Sequence, residues 1–383
     1  MRVLHFYKTY FPESVGGVEQ VIRQMCVGTG RLGVRNEVLT LTRQKERRDV
    51  EFEGHKVRLL PLDFEISSTG FSVAAFRELA RMAQDADVVH YHFPWPFMDL
   101  AHFVSRIKKP SLVTYHSDIV RQKQLLRLYQ PLKHRFLQSV DTIVATSPNY
   151  MASSAVLDRY RDKTRVITYG LDKTIYLVPD QARMDTWRTQ IGERFFLFVG
   201  VLRYYKGLHI LLDAVANTDY PVVIVGAGPI ENELKAHAER LGLTHVLFVG
   251  ALDEADKVAL LTLCYALVFP SHLRSEAFGI SLLEGAMYGK PMISSEIGTG
   301  TTYINIDAET GLVVPPSDPQ AFGEAMRKLW DNPALAQAMG KRAEARYWEL
   351  FTAEQMAKSY TALYHELVAR HATVALAPIR LGR

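Results

Sequence analysis

Short apolar runs alternate with helical patterns along nearly the whole chain, and this constrains the fold more than any other feature. Residues 2–7, 37–42, 55–61, 87–90, 111–116 and 142–145 read as strands: they are rich in Val, Leu, Ile and Tyr and bounded by Gly, Pro or charge. Helical patterns at 18–32 and 124–138 fall between them, and Ser147 followed by Pro148 is a good helix start. The scheme then repeats, with strands at 195–199, 222–225, 246–249, 267–269 and 292–294. Helices follow at 207–216, 230–241, 254–263, 277–288 and 321–329. Such alternation calls for a parallel sheet covered on both faces. Two runs of it predict an α/β protein of two doubly wound domains. The irregular stretch 170–192, with Gly170, Pro179 and Gly192, marks the division. The expected domains are 1–176 and 177–365; a last helix is expected at 353–370, with 366–383 as a tail.

A length of 383 residues fits two domains, and 48% hydrophobic with 22% charged residues is ordinary for a globular protein. The two cysteines, Cys26 and Cys264, offer neither a disulfide framework nor a metal cluster, so the chain reads as cytoplasmic. No secretory signal is visible, since His5, Lys8 and Glu13 break the first apolar run. The apolar stretch 259–270 is far short of the roughly 20 residues a membrane span needs. Charge is uneven: residues 1–180 carry 26 Lys+Arg against 19 Asp+Glu, while the remainder is net acidic. The basic half suits anionic lipid or phosphorylated substrates. No nucleic-acid-binding motif accompanies it, so nucleic acid is not an expected partner.

Ligands of doubly wound sheets bind at the carboxyl ends of the strands, and the residues that carry chemistry fall on such loops. Glu276 stands just before the apolar helix 277–288, Gly279 in its first turn and Glu284 two turns in. A carboxylate on a mostly apolar face is costly without a partner, and a helix start suits a phosphate. The segment therefore suits a ligand with both phosphate and hydroxyls; the alternative is an amphipathic helix with two incidental glutamates. Eight residues of helix rise about 12 Å. Paired glycosidase carboxylates stand about 5–9.5 Å apart, so Glu276 and Glu284 better suit two ends of one ligand than an acid/base pair.

Gly16-Gly17 opens a helix after the first strand, permitting close backbone approach to an anion. Arg203 and Lys206 follow the first strand of the second half and suit a diphosphate. His116 ends a strand, placed to hydrogen-bond a sugar hydroxyl or phosphate. Each has a plainer reading: a turn, a solvated basic loop, a structural histidine. Gly226-Ala227-Gly228 is only the first half of a dinucleotide fingerprint. Ile297-Gly298-Thr299-Gly300-Thr301-Thr302 suits either an anion nest or a surface loop.

These residues resemble the retaining, nucleotide-sugar-dependent glycosyltransferases of the GT-B fold, in which two Rossmann-like domains face each other across a cleft. The resemblance covers nearly the whole chain. It rests on Glu276-x7-Glu284, supported by Gly16-Gly17, His116 and Lys206-Gly207. Tyr-Tyr-Lys-Gly and Ile-Gly-Thr-Gly-Thr-Thr are similar to enzymes that build lipopolysaccharide O-antigen from GDP-mannose or GDP-rhamnose. The resemblance implies that Glu284 holds the ribose hydroxyls and that Glu276 contacts the donor sugar beside the Phe278-Gly279-Ile280 backbone. It further implies that Lys206 and a nearby arginine bind the diphosphate, that His116 touches the sugar near its C6, and that Leu252, Asp253 and Lys257 lie near the base. One departure matters. In many members an arginine directly follows the glycine at Gly200; here that position is Val201, so the phosphate falls to Arg203 from two residues on or to Lys206 alone.

The expected activity is transfer of mannose or rhamnose from a GDP-sugar to a hydroxyl of a lipid-linked glycan, with retention and with no metal or other cofactor. The rivals are a sugar-nucleotide epimerase of the same fold and a non-catalytic sugar-nucleotide sensor. A dehydrogenase is disfavoured because no complete fingerprint follows any strand. Residues 121–137, with Arg121, Lys123, Arg127, Lys133 and Arg135 among apolar residues, suit either peripheral docking on the cytoplasmic face of an inner membrane or an ordinary surface helix. Pro131 is expected to break or kink it.

Overall fold

The computed structural model describes residues 1–66, 69–119 and 123–376, and the chain divides into two compact units. The first comprises residues 1–146, 154–170 and 353–383; the second comprises 147–153 and 171–352. Each is built on its own parallel sheet.

The first unit holds β1 (Arg2–Phe6), β2 (Arg35–Thr42), β3 (Arg48–Phe52), β4 (His55–Pro61), the hairpin β5 (Phe64–Ile66) and β6 (Thr69–Phe71), β7 (Val88–Phe93), β8 (Ser111–Tyr115), β9 (Thr142–Ala145) and β10 (Thr164–Val166). Its main sheet runs β10-β9-β8-β7-β1-β2-β4-β3. All neighbours in it are parallel except β3, which lies antiparallel along β4. From β1 the chain builds outward to one side, then returns and builds to the other through β7. Strand order reverses there, the place where such sheets open to ligands at their carboxyl ends. β7 runs three residues beyond the expected strand. Its His90 and His92 look polar in sequence, yet both are fully buried.

The second unit holds β11 (Phe196–Val199), β12 (Val222–Val225), β13 (Val246–Gly250), β14 (Ala266–Phe269), β15 (Met292–Ser295) and β16 (Gly311–Val314). The order is β13-β12-β11-β14-β15-β16, with every pair parallel. Order reverses between β11 and β14. The inner strands β12, β14 and β15 are buried on both faces, as a covered parallel sheet requires, while the edge strand β13 is half-buried.

Two segments join units other than those expected. The helix Ala353–Leu376 belongs to the first unit rather than the second. It lies against the helix Gly17–Arg31 so closely that a Cβ on Gly28 would stand 2.8 Å from the Ala357 Cβ, and its Tyr360 and Tyr364 are fully buried. Residues 147–153 belong to the second unit, where Tyr150 is buried under the Arg274 guanidinium, 5.5 Å from the ring centroid. Ser147 caps this helix as expected, its Oγ accepting from the Tyr150 N–H at 3.1 Å.

The helix Lys123–Ser139 continues through Pro131 instead of breaking. Pro131 is on the exposed side, where water can serve the carbonyl that loses its donor. Of the basic residues assigned to this helix, Arg121 lies outside the described residues. Lys133 is turned inward and buried, and Arg135 lies over the Phe103 ring at 5.0 Å. No helix among the described residues is long and apolar enough to cross a membrane.

Candidate active site

The loops after β11 and β14 flank the reversal in the second sheet, and they touch backbone to backbone. Gly207 takes a left-handed φ of 70°, and a Cβ there would stand 2.0 Å from the Pro270 carbonyl oxygen. Only glycine permits both the conformation and the approach. Gly226 does the same between β12 and β11: at φ 132° its Cβ would stand 2.0 Å from the Gly200 oxygen. The glycines read as half a dinucleotide fingerprint are thus spacers between strand-end loops.

This contact delivers Lys206 to Glu276. The Lys206 ammonium donates to Glu276 Oε2, with the two side chains 11% and 12% exposed. Ring faces surround it, the Phe269 centroid at 4.9 Å and that of Tyr205 at 5.5 Å. Burial acts to lower the Lys206 pKa, but the Glu276 carboxylate, aided by Tyr205, outweighs it and raises the value. The ammonium is therefore charged and held by one carboxylate. His272 fixes the loop from behind: its Nε2 meets the Tyr204 carbonyl at 3.1 Å, its Nδ1 meets Ser317 Oγ at 3.0 Å, and its N–H donates to the Tyr205 carbonyl at 3.0 Å. Nothing in the sequence marked His272.

Glu284 lies on the helix Ile280–Met287 and is buried. That helix starts three residues later than expected, because Gly279 takes φ 98° ahead of it; Glu276 and Gly279 thus precede the helix. Phe278 and Gly279 are buried, and Ile280 is half-buried at the helix start. Glu284 Oε1 accepts from Lys257 Nζ at 2.8 Å and from the Tyr176 hydroxyl at 3.2 Å, and the ammonium lies 5.0 Å from the Tyr176 ring centroid. Both donors use one oxygen. Tyr176 escaped the sequence reading because it lies 108 residues from its partner.

Other expected residues are placed differently. Arg203 is exposed, with no ion pair among the described residues, and Val201 beside it is 45% exposed. Leu252 is half-buried. Asp253 caps the helix Glu254–Leu263, accepting from the Asp256 N–H at 2.8 Å, and pairs with Arg183 at 3.0 Å. That backbone bond first, then Arg183, holds its carboxyl below the usual range. Lys257, on the same helix, turns to Glu284. In the loop 297–302, Arg274 Nη1 donates to the Gly298 carbonyl at 2.7 Å, and the Gly300 N–H donates to the Ala277 carbonyl at 2.8 Å. This ties the loop to the residues before the Glu284 helix.

In the first unit, Gly16 precedes the helix that begins at Gly17. A Cβ on Gly16 would stand 2.6 Å from Glu19 Oε2, and Glu19 Oε1 accepts from Thr9 at 2.8 Å and Ser14 at 2.9 Å. Buried Glu19, also unmarked by the sequence reading, thus shapes the loop ahead of Gly16. His116 follows β8. Its N–H donates to the Phe93 carbonyl at 2.9 Å, and burial pushes its imidazole pKa down to about 3. Its Nε2 lies 3.0 Å from His92 Nδ1, and its Nδ1 meets the Tyr169 hydroxyl.

Known proteins are similar to this chain over nearly its whole length. The family model described as glycosyl transferases group 1 matches residues 183–346, and the glycosyl transferase 4-like domain matches residues 16–170. The chain is 65% identical over 353 residues to D-rhamnosyltransferase WbpZ of Pseudomonas aeruginosa, covering 92% of this chain and 93% of that one. It is 51% identical over 368 residues to O-antigen chain mannosyltransferase C of Escherichia coli, covering 96% and 99%. Among solved structures, sucrose-phosphate synthase from Thermosynechococcus elongatus matches with a TM-score of 0.80 at 22% identity, covering 96% of this chain and 99% of that one. The fold is of the GT-B class, with two Rossmann-like domains. The chain is a glycosyltransferase and belongs to the group 1 family.

Proposed function

We propose that this enzyme moves mannose or rhamnose from a GDP-sugar to a hydroxyl of a lipid-linked glycan during O-antigen synthesis, with retention of anomeric configuration. The observation that carries this reading is the buried Lys206–Glu276 pair at the reversal of the second sheet. Each group is the other's counterion in the free chain. A diphosphate offers Lys206 a replacement anion, which releases Glu276 to receive the hydroxyls of the sugar. Arg203, exposed on the same loop, adds a second positive charge. The helix start at Phe278-Gly279-Ile280 supplies backbone N–H groups to the same anion. Glu284, with Oε1 taken by Lys257 and Tyr176, keeps its other oxygen for the ribose hydroxyls. Leu252, Asp253 and Lys257 mark the base side, where Lys257 acts by orienting Glu284. Gly16 and Gly17 offer close backbone approach in the first unit, and His116 serves a sugar hydroxyl there.

In this reading no side chain attacks the sugar. The departing diphosphate is stabilised by Lys206 and Arg203, and the acceptor hydroxyl enters on the face the diphosphate leaves. Its proton passes to a leaving-group oxygen. The O-antigen assignment is supported by the two relatives named above, and the lipid-linked acceptor by the basic first half of the chain.

The test is incubation with GDP-mannose, GDP-D-rhamnose and UDP-sugars, each with a lipid-linked glycan, followed by NMR of the new linkage. Transfer from a GDP-sugar with the donor's own α configuration is expected. A β linkage, or transfer from UDP-sugars alone, overturns the reading.

A further inference from the structure

Four histidines form a buried ladder in the first unit. Rings of His90 and His92 stack at 4.4 Å between centroids, His92 and His116 at 5.2 Å, and His5 and His92 at 5.4 Å. His5, His90 and His92 are fully buried and close enough together to suggest a metal site. The hydrogen bonds say otherwise. Both nitrogens of each of these three rings are already engaged: His5 with His92 and Asn36, His92 with His5 and His116, His90 with Tyr364 and Thr114.

The ladder has a direction. Asn36 Nδ2 lies 2.9 Å from the Cys26 carbonyl, a pure acceptor, so that atom is the amide nitrogen and Oδ1 faces His5 Nε2 at 3.2 Å. His5 Nε2 must then carry a proton. Burial keeps each imidazole neutral, holding His5 and His116 down to about 3 and the two between well below their ordinary value. A neutral His5 therefore accepts at Nδ1, and His92 Nε2 donates to it at 3.1 Å. By the same step His92 accepts at Nδ1, and His116 Nε2 donates to it at 3.0 Å. His116 Nδ1 is left as an acceptor, and the Tyr169 hydroxyl fills it. The branch through His90 runs the opposite way. Tyr364 gives its proton to Met25 Sδ at 3.4 Å, so His90 carries its proton on Nδ1, donating to Tyr364 at 2.8 Å. An amide oxygen does not take a proton at ordinary pH, so the ladder orients without conducting.

We infer that Asn36, through His5 and His92, locks His116 as the Nε2–H tautomer, whose one acceptor nitrogen, Nδ1, receives a sugar hydroxyl in exchange for the Tyr169 hydroxyl. Asn36, His5 and His92 are positioning residues, and Tyr169 is the stand-in for the ligand. A sugar group that meets His116 must come as a hydrogen-bond donor; an ether oxygen or a methyl leaves Tyr169 in place. A 6-deoxy sugar and its hydroxylated counterpart are thereby told apart at this position. The inference rests on the proposed role of His116 toward a sugar, and the hydroxyl belongs to either the donor sugar or the acceptor glycan.

The test has two parts on the full chain. Nitrogen-15 NMR of labelled histidines reads the tautomers directly. His5, His92 and His116 are expected as Nε2–H and His90 as Nδ1–H, and they are expected to stay neutral from pH 8 down to pH 5. A proton on Nδ1 of His116, or zinc shifting the His5, His90 and His92 signals at stoichiometric dose, overturns the lock. The second part compares Tyr169→Phe with the native chain on hydroxylated and deoxy sugars, varied first in the donor and then in the acceptor. Freed of its competitor, His116 is expected to lower the ratio of hydroxylated to deoxy KM severalfold for one of them. A tautomer pattern as expected, with no change in either ratio, leaves the lock standing and removes His116 from sugar recognition.

Discussion

The Lys206–Glu276 loops and the histidine ladder bury polar groups in opposite ways. At the strand ends of the second unit, charge is buried in pairs: Lys206 with Glu276, and Lys257 with Glu284. Beneath the strand ends of the first unit, burial has stripped charge away, and the histidine ladder holds its shape through neutral hydrogen bonds. A buried ion pair carries the desolvation cost of both members, so each needs a replacement partner when the pair parts. A neutral ladder with every nitrogen satisfied gains nothing by exchange along its length, and the proposed exchange is confined to its last rung, at Tyr169. In the proposed reading, chemistry that moves charge belongs in the second unit, and selection by shape and hydrogen bonding belongs in the first.

Acid should separate the two units most strongly. Folded His5 and His116 titrate at about 3, whereas the unfolded chain takes up those protons near 6.5. The unfolded state therefore binds more protons across that window, so stability rises with pH from about 3 to 6.5 and is flat above it. Each of these two histidines removes roughly 3 kcal/mol by pH 4, at about 1.4 kcal/mol per pH unit. Hydrogen exchange followed by residue should show β7 and β8 opening before β11 and β14 as pH falls. Simultaneous opening at all four strands would break the contrast.

The next effect is on turnover. Lys206→Ala should lower kcat roughly 10²–10³-fold, the range for losing one preorganised group that stabilises transition-state charge, with the circular dichroism spectrum unchanged. Near-normal kcat in a folded variant would remove Lys206 from the chemistry. A smaller effect sharpens the second pair. Glu284→Gln keeps the shape but removes the charge facing Lys257 and should weaken GDP binding by about 1.5–3 kcal/mol, the scale of a hydrogen bond to a charged group. Tyr176→Phe removes one of two donors to the same oxygen and should cost about 1 kcal/mol. Calorimetric titration with GDP checks both; equal losses in the two variants would mean that Tyr176 does more than orient the carboxylate.

Much of this was legible in the sequence because strand–helix alternation has few structural solutions. The bounds of β4, β9, β12 and the helix Glu254–Leu263 emerge as read, since apolar periodicity and flanking Gly, Pro or caps coincide there. Three edge strands, β3, β10 and β16, did not emerge, although the edge strand β13 did; the polar pattern of Arg48–Phe52 fits an exposed antiparallel edge as well as a loop. The helices Val73–Asp85, Pro96–Val104 and Pro333–Leu350 also escaped notice. In the second unit Lys206, Glu276 and Glu284 were visible because charged residues interrupt apolar loops and helices. Their partners Lys257 and Tyr176 were assigned elsewhere or missed, because only tertiary packing brings them together. The ladder was invisible for a related reason: His5, His90, His92 and Asn36 become neighbours only through the lateral order of β1, β2 and β7.

In the proposed reading Lys206 holds a place for a diphosphate. Titrating the native chain and Lys206→Ala in parallel with guanosine and with GDP isolates it, because the difference between the two ligands is the diphosphate alone. A large affinity gain from guanosine to GDP is expected in the native chain, with the loss of most of that gain in Lys206→Ala and guanosine bound equally by both. An equal gain in the two proteins would contradict that reading.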